Sequence, residues 1–252
     1  MIYVAGKAPY PCSHHHKTER ENGVNLAIFD LDNTLIEGDS DYSWGQFLVE
    51  KGLVEGEFYE RENQRFYDEY RRGCLDIQEF LRFSLRPLAE NSLDTMLALR
   101  QQFMAEKIDP MMLPAARHLL QQHREQGHTL LIITATNRFV TEPIAQLLGV
   151  DDIIATEPEM VDGTYTGEVA GTPSFKEGKV ARLSDWLRQR GGNLASSWFY
   201  SDSHNDLPLL EQVTHPVAVD ADETLQQHAE AKGWPSITLR VGTTPVPPIT
   251  LK

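Results

Sequence analysis

Six side chains in this 252-residue sequence have the types and the spacing to do chemistry together: Asp30, Asp32, Thr134, Lys179, Asp202 and Asp206. Asp30 and Asp32 follow directly on the apolar run Leu26-Ala27-Ile28-Phe29. A turn at the end of a strand sends successive side chains in different directions, so one carboxyl can attack a substrate while the other transfers a proton. Gathering Asp30, Asp32, Asp202 and Asp206 at one point is electrostatically costly without a cation. Lys179 supplies one fixed positive charge. The surplus of acid implies a hard divalent ion, and an all-oxygen set of carboxylate, carbonyl and water suits Mg²⁺. Taken singly each residue has an ordinary reading: Asp is common in turns and at helix starts, Thr134 can cap a strand end, and Lys179 can be a solvated helix residue.

The elements that must position these residues are legible as alternating patterns. Apolar runs at 26–29, 130–133, 198–200 and 217–219 are bounded by polar or turn residues and read as buried parallel strands. Between them lie helical spacings: Ala116, Leu119, Leu120 and His123; Val140, Ile144, Leu147 and Leu148; Val180, Leu183 and Leu187, closed by Gly191-Gly192. Strand alternating with helix predicts an α/β fold, a doubly wound Rossmann-like parallel sheet, in which ligands bind beyond the carboxyl ends of the strands. Residues 42–110 break that rhythm and read as a helical cap inserted after the first strand, with Ser92 as a helix cap before Met96, Leu99 and Phe103. A smaller insertion, 160–169, carries Asp162-Gly163 and reads as a hairpin. The core is then 26–41 with 111–252, and residues 1–25 are a flexible extension. There Cys12 and His14, His15 and His16 imitate a metal site, yet consecutive histidines in a loose segment cannot all face one ion.

Composition narrows the class. Hydrophobic residues make up 40% and charged residues 24%, ordinary globular usage with enough apolar surface for a sizeable core. The formal charge of −14 repels phosphate backbones and anionic lipid, which argues against nucleic-acid and membrane partners. No apolar run reaches the roughly 18 residues of a membrane span. The two cysteines, Cys12 and Cys74, are too few for a disulfide framework, so a reducing, cytoplasmic setting is expected.

In order and placement the motifs resemble those of the haloacid dehalogenase superfamily of aspartate-nucleophile phosphatases, in the helical-cap branch of phosphoserine and histidinol phosphatases. Phe29-Asp30-Leu31-Asp32-Asn33-Thr34-Leu35 is similar to the first motif, and Thr134 in Ile132-Ile133-Thr134-Ala135-Thr136 to the hydroxyl motif. Lys179 in Glu177-Gly178-Lys179-Val180 is similar to the lysine motif, with Lys176 as a rival one turn earlier. Asp202-Ser203-His204-Asn205-Asp206 is similar to the acidic motif, where His204 is read as a loop residue.

The resemblance implies that Asp30 is the nucleophile and Asp32 the proton shuttle. It implies that Mg²⁺ is held by Asp30, Asp202 and the Asp32 carbonyl, that Thr134 and Lys179 hold phosphoryl oxygens, and that Asp206 orders Lys179 and the metal shell. It further implies that Asp39 reads a substrate amine, while Ser84 stands where phosphoserine phosphatases carry a carboxylate-binding arginine, with Arg82 and Arg86 nearby. Ala135 and Thr136 replace the glycines that follow the hydroxyl in those enzymes, which narrows the backbone approach to phosphate. The expected substrate is therefore a small phosphorylated metabolite, histidinol phosphate ahead of phosphoserine. A phosphomutase is the near alternative, and a non-catalytic phospho-binding module is the alternative from another class. One or two of Phe58, Tyr59, Phe66, Tyr67 and Tyr70 are expected to line the pocket and the rest to be core.

Overall fold

In the computed structural model, which describes residues 25–249 and Leu251, Leu26–Phe29 form a strand, β1, with all four side chains buried. Continuous burial, rather than burial of every second residue, belongs to a strand covered on both faces. A helical block follows: α1 (Ser40–Glu50), α2 (Gly56–Arg71), α3 (Ile77–Glu90), α4 (Leu93–Phe103), a π turn (Met104–Ile108) and α5 (Asp109–Met111). Next come α6 (Pro114–Glu125), β2 (Thr129–Asn137), α7 (Arg138–Leu148), β3 (Asp152–Thr156), β4 (Pro158–Val161) and β5 (Thr164–Val169). The chain continues through α8 (Glu177–Arg190), β6 (Ser197–Ser201), a 3-10 turn (His204–Asp206), α9 (Leu207–Leu210), β7 (His215–Val219), α10 (Glu223–Lys232) and β8 (Ser236–Ile237).

Six strands form one parallel sheet in the order β3-β2-β1-β6-β7-β8. From β1 the chain winds outward through β2 and β3, then returns to the other side of β1 as β6, so the topological switch point lies between β1 and β6. Alternate side chains sort into two layers. Ala27, Phe29, Leu130, Ile132, Trp198 and Tyr200 pack with α1, α6 and α7, whereas Leu26, Ile28, Leu131, Ile133 and Phe199 pack with α8, α9 and α10. The fold is the expected doubly wound sheet with an inserted helical cap.

Three details differ from the sequence-based reading. β3 and the two-residue β8 were not expected, because their apolar runs are too short to stand out. β2 extends four residues past Ile133, to Asn137. Leu147, counted on the apolar face of α7, is 40% exposed. The 160–169 hairpin forms as β4 and β5 around Asp162 and Gly163, both at positive φ (49° and 79°), the pair of angles a two-residue hairpin turn requires. Helix α3 lies against it so closely that a Cβ on Gly167 would stand 3.2 Å from that of Ala89. Cys12, His14, His15 and His16 lie outside the described residues. Among the described residues no helix is long and apolar enough to cross a membrane.

Candidate active site

Asp30 leaves the end of β1 and Asp202 the end of β6, the two strands that flank the switch point. Lys179, in the first turn of α8, is only 2% exposed and reaches Asp30 from the side. Its Nζ donates to Asp30 Oδ1 at 2.7 Å and to Asp206 Oδ2 at 2.8 Å, and Asp206 also accepts from Ser201 Oγ at 2.7 Å. Burial opposes charge on Lys179, but Asp206 and Asp30 more than offset it and hold the ammonium above its usual range. Lys176 does not compete: its Nζ donates instead to the Gly73 carbonyl at 2.8 Å. The Gly178 next to Lys179 has a steric reason, since a Cβ there would sit 2.1 Å from the Pro173 carbonyl oxygen.

One hydroxyl serves two carboxylates. Thr34 Oγ1 lies 3.3 Å from Asp30 Oδ2 and 3.2 Å from Asp202 Oδ1, so its single proton cannot satisfy both. Asp202 has no ion pair among the described residues. Burial, then Asp30 and Asp206, hold its carboxyl well above the usual range. Burial likewise pushes Asp30 up to about 7 against the opposing pull of Lys179. With Asp206 these make three carboxylates around one ammonium, a charge balance that a dication would complete. No group of three or more His, Cys, Asp or Glu side chains among the described residues is arranged to hold a metal alone. A cation here must therefore complete its shell from main chain, water or substrate, as Mg²⁺ commonly does.

Asp32 has a separate set of partners, shared with neither Lys179 nor Asp202. Its Oδ1 accepts the Ser40 N–H at 2.6 Å and its Oδ2 the Thr136 hydroxyl at 2.9 Å, with Thr134 Oγ1 more distant at 3.4 Å. Burial raises its carboxyl above the usual range, the direction that favours a proton donor at neutral pH. Thr136 thus has a positive role that its reading as a departure from glycine missed. An irregularity in β2 between Ile133 and Asn137 accompanies it: the Thr136 N–H donates to Thr134 Oγ1 at 3.2 Å, and both hydroxyls turn to Asp32.

Between core and cap lies a partly open cleft. Its acids are Asp30, Asp32, Asp39 and Asp41, its rings Tyr42, Phe66, Tyr67, Tyr70, Phe80 and Phe175, and among the described residues no Arg or Lys lines it. Asp39 caps α1, its Oδ1 accepting the Tyr42 N–H at 2.8 Å, and burial followed by the charge of Asp32 pushes its carboxyl up to about 7. Asp41 was not anticipated, since it belongs to no motif; its position two residues after Asp39 at a helix start was the available signal. Three of the five cap aromatics, Phe66, Tyr67 and Tyr70, line the cleft, more than expected. Tyr59 is buried against Phe83 and Phe58 is 40% exposed. Ser84 is buried with its hydroxyl unpartnered, Arg82 is exposed, and Arg86 is exposed and paired with Glu90 at 2.9 Å. None of the three lines the cleft.

The acidic loop also holds the cap. Asn205 Nδ2 donates to the Tyr70 carbonyl at 3.1 Å, beside the Lys176–Gly73 bond. His204, fixed by Asp222 Oδ2 at 2.7 Å from its Nδ1, lies where a Cβ on Gly73 would be 2.5 Å from its Nε2. Gly73 has φ +68°, so both backbone and contact favour glycine.

The haloacid dehalogenase-like hydrolase family matches residues 27–211. The chain is 49% identical over 220 residues to a histidinol-phosphatase of Neisseria meningitidis serogroup C, covering 86% of this chain and 99% of that protein. It is 30% identical over 225 residues to a phosphoserine phosphatase of Mycobacterium tuberculosis, covering 86% of this chain and 72% of that one. A crystal structure of a Bordetella pertussis Tohama I protein of unknown function superposes with a TM-score of 0.80 at 42% identity, covering 85% of this chain and 98% of that chain. The parallel sheet, the helical cap and the acid-lysine centre at the switch point agree with these likenesses: the chain belongs to the haloacid dehalogenase-like hydrolases, in the helical-cap branch related to histidinol and phosphoserine phosphatases.

Proposed function

We propose that this protein is an Mg²⁺-dependent phosphomonoesterase whose substrate is histidinol phosphate. The observation that carries the substrate is the cleft: carboxylates and rings line it, and among the described residues no guanidinium or ammonium does. Histidinol phosphate brings an ammonium group and an imidazole to such a lining, with Asp39 for the ammonium and the rings for the imidazole. L-phosphoserine brings the same ammonium but adds a carboxylate, which would be desolvated beside Asp39 and Asp41 with no cation to meet it. That costs about 2–5 kcal/mol. The 49% identity to a protein named histidinol-phosphatase supports the same choice.

Asp30 Oδ attacks phosphorus as the ester P–O bond breaks, giving an aspartyl phosphate, and Asp32 gives its proton to the leaving alkoxide. Asp32, now a carboxylate, takes a proton from water as that water attacks the aspartyl phosphate and releases Asp30. Thr134 and Lys179 hold phosphoryl oxygens, and Asp206 keeps Lys179 charged and aimed. Asp30, Asp202 and the Asp32 carbonyl would hold Mg²⁺, which supplies charge neutralisation when bound.

Phosphate release measured side by side tests the substrate. Histidinol phosphate should exceed L-phosphoserine in kcat/KM by about 30-fold or more, the equivalent of the lower end of that desolvation cost. Equal or better turnover of L-phosphoserine would overturn the reading of the cap and leave the reaction class intact.

A further inference from the structure

We infer that Thr136 is a positioning residue for the leaving-group proton: its hydroxyl anchors the reacting oxygen of Asp32, so that Thr134 is free to turn to phosphate. The inference rests on the reading of Asp32 as the acid of an aspartyl-phosphate mechanism. Asp32 is held at both oxygens. Its Oδ1 accepts the Ser40 N–H at 2.6 Å, and its Oδ2 accepts the Thr136 hydroxyl at 2.9 Å. A main-chain N–H only donates, so it fixes Oδ1 and can neither take a proton from it nor return one. Oδ2 is the oxygen that meets Thr134, whose hydroxyl lies 3.4 Å away. It is therefore the oxygen on the phosphate side, and the one that carries the transferable proton.

The two threonines divide the work because a hydroxyl has one proton. Thr134 cannot give its proton to a phosphoryl oxygen and to Asp32 at once, and 3.4 Å is long for a hydroxyl donor. Thr136 makes the shorter bond, and its Oγ1 has no other partner among the described residues. Its own N–H donates to Thr134 Oγ1 at 3.2 Å, occupying one lone pair of that oxygen and holding the hydroxyl in place. Both side chains line the cleft yet are nearly enclosed, Thr134 at 1% and Thr136 at 6% exposure. In the first step the bond from Asp30 Oδ to phosphorus forms, and the ester P–O bond breaks with its electron pair on the leaving oxygen. The proton on Asp32 Oδ2 passes to that oxygen, and negative charge develops on Oδ2. The bond from Thr136 strengthens as it does, since a hydrogen bond to an ionised acceptor is roughly twice as strong as one to a neutral acceptor. Its contribution therefore belongs to the transition state of the step that protonates the leaving group, not to substrate binding.

Leaving-group dependence tests this. Thr136→Val keeps the branched shape suited to a strand and removes the donor. The quantity measured is kcat/KM, which covers the steps up to loss of the leaving group. Histidinol phosphate and L-phosphoserine release alkoxides that need a proton, whereas p-nitrophenyl phosphate and acetyl phosphate release anions that leave without one. In Thr136→Val the alkyl esters should lose about tenfold to a hundredfold, as expected for one hydrogen bond to a charged group, and the activated esters less than about threefold. Thr136→Ser should restore the alkyl esters, and a melting temperature for each variant checks the fold. Asp32→Asn, which removes the proton itself, should show the same selectivity more strongly. Equal losses on both classes of ester in Thr136→Val, or no loss on either, with Asp32→Asn still selective, would overturn the inference alone. Loss of both classes alike in Asp32→Asn would overturn the reading of Asp32 as the acid and the inference with it.

Discussion

Replacing Lys179 by Met should leave a folded protein that is markedly less stable at neutral pH and much less so at acid pH. Lys179 is 2% exposed and contacts Asp30 at 2.7 Å and Asp206 at 2.8 Å, with Asp202 as a third carboxylate nearby. Met fills a similar volume, so the loss is one of charge rather than of packing. Breaking a buried ion pair by removing one partner costs about 3–5 kcal/mol. At about 2–4 °C per kcal/mol for a chain of this size, the melting temperature should fall by about 6–20 °C at pH 7.5 in chelator. The sign with pH follows from linkage. Lys179 is held above its usual range, so its contribution is fully present at pH 7.5. In the variant Asp30, which burial already pushes up to about 7, loses the opposing pull of Lys179 and rises further, so the folded state binds more protons than the unfolded one as pH falls. The penalty should therefore shrink by pH 5, and adding Asp206→Asn to the variant should recover part of it at pH 7.5. Scanning calorimetry of the variants at both pH values measures this, and phosphate release should fall at least about a hundredfold with the loss of a charge-stabilising donor. An unchanged melting temperature, or a fall of the same size at both pH values, would refute the argument that Lys179 holds this acid cluster together.

Two further outcomes follow from the same electrostatics. Asp39→Asn keeps the cap on α1, since Asn caps as well as Asp, and removes a carboxyl that burial and Asp32 raise from 3.8 to about 7. A folded-state pKa raised in this way costs stability as pH climbs from about 4 toward 7, so the variant should melt higher than wild type by a margin that grows across that window in a thermal-shift series. Exhaustive chelation should abolish turnover and lower the melting temperature. Mg²⁺ should restore both, whereas Ca²⁺, which tends to take a carboxylate through both oxygens and would occupy the attacking atom of Asp30, should stabilise without restoring activity.

The centre of the sheet was legible because β1, β2, β6 and β7 carry runs of three or more apolar residues, the mark of strands buried on both faces. β3 was not, because Ile153-Ile154 between Asp152 and Ala155-Thr156 is too short a run to separate from a loop. Asp30, Asp32, Thr134, Lys179, Asp202 and Asp206 stood out through fixed spacing to strand ends, which local sequence encodes. Lys176 could not be dismissed on spacing alone; its reach to Gly73 depends on where the cap lies. The same limit applies to Thr136, Asp41 and the exposed Arg82 and Arg86, whose roles are set by packing between segments distant in the chain.

The reaction is tested at its centre by mixing the Mg²⁺-loaded protein with histidinol phosphate, quenching in acid within one turnover, and mapping the phosphoryl group by peptide mass spectrometry. A transient phosphoryl group should appear on the peptide containing Asp30 and be absent from Asp30→Asn, which should not turn over. Turnover of histidinol phosphate without that adduct, or an adduct on any other residue, would contradict Asp30 as the nucleophile.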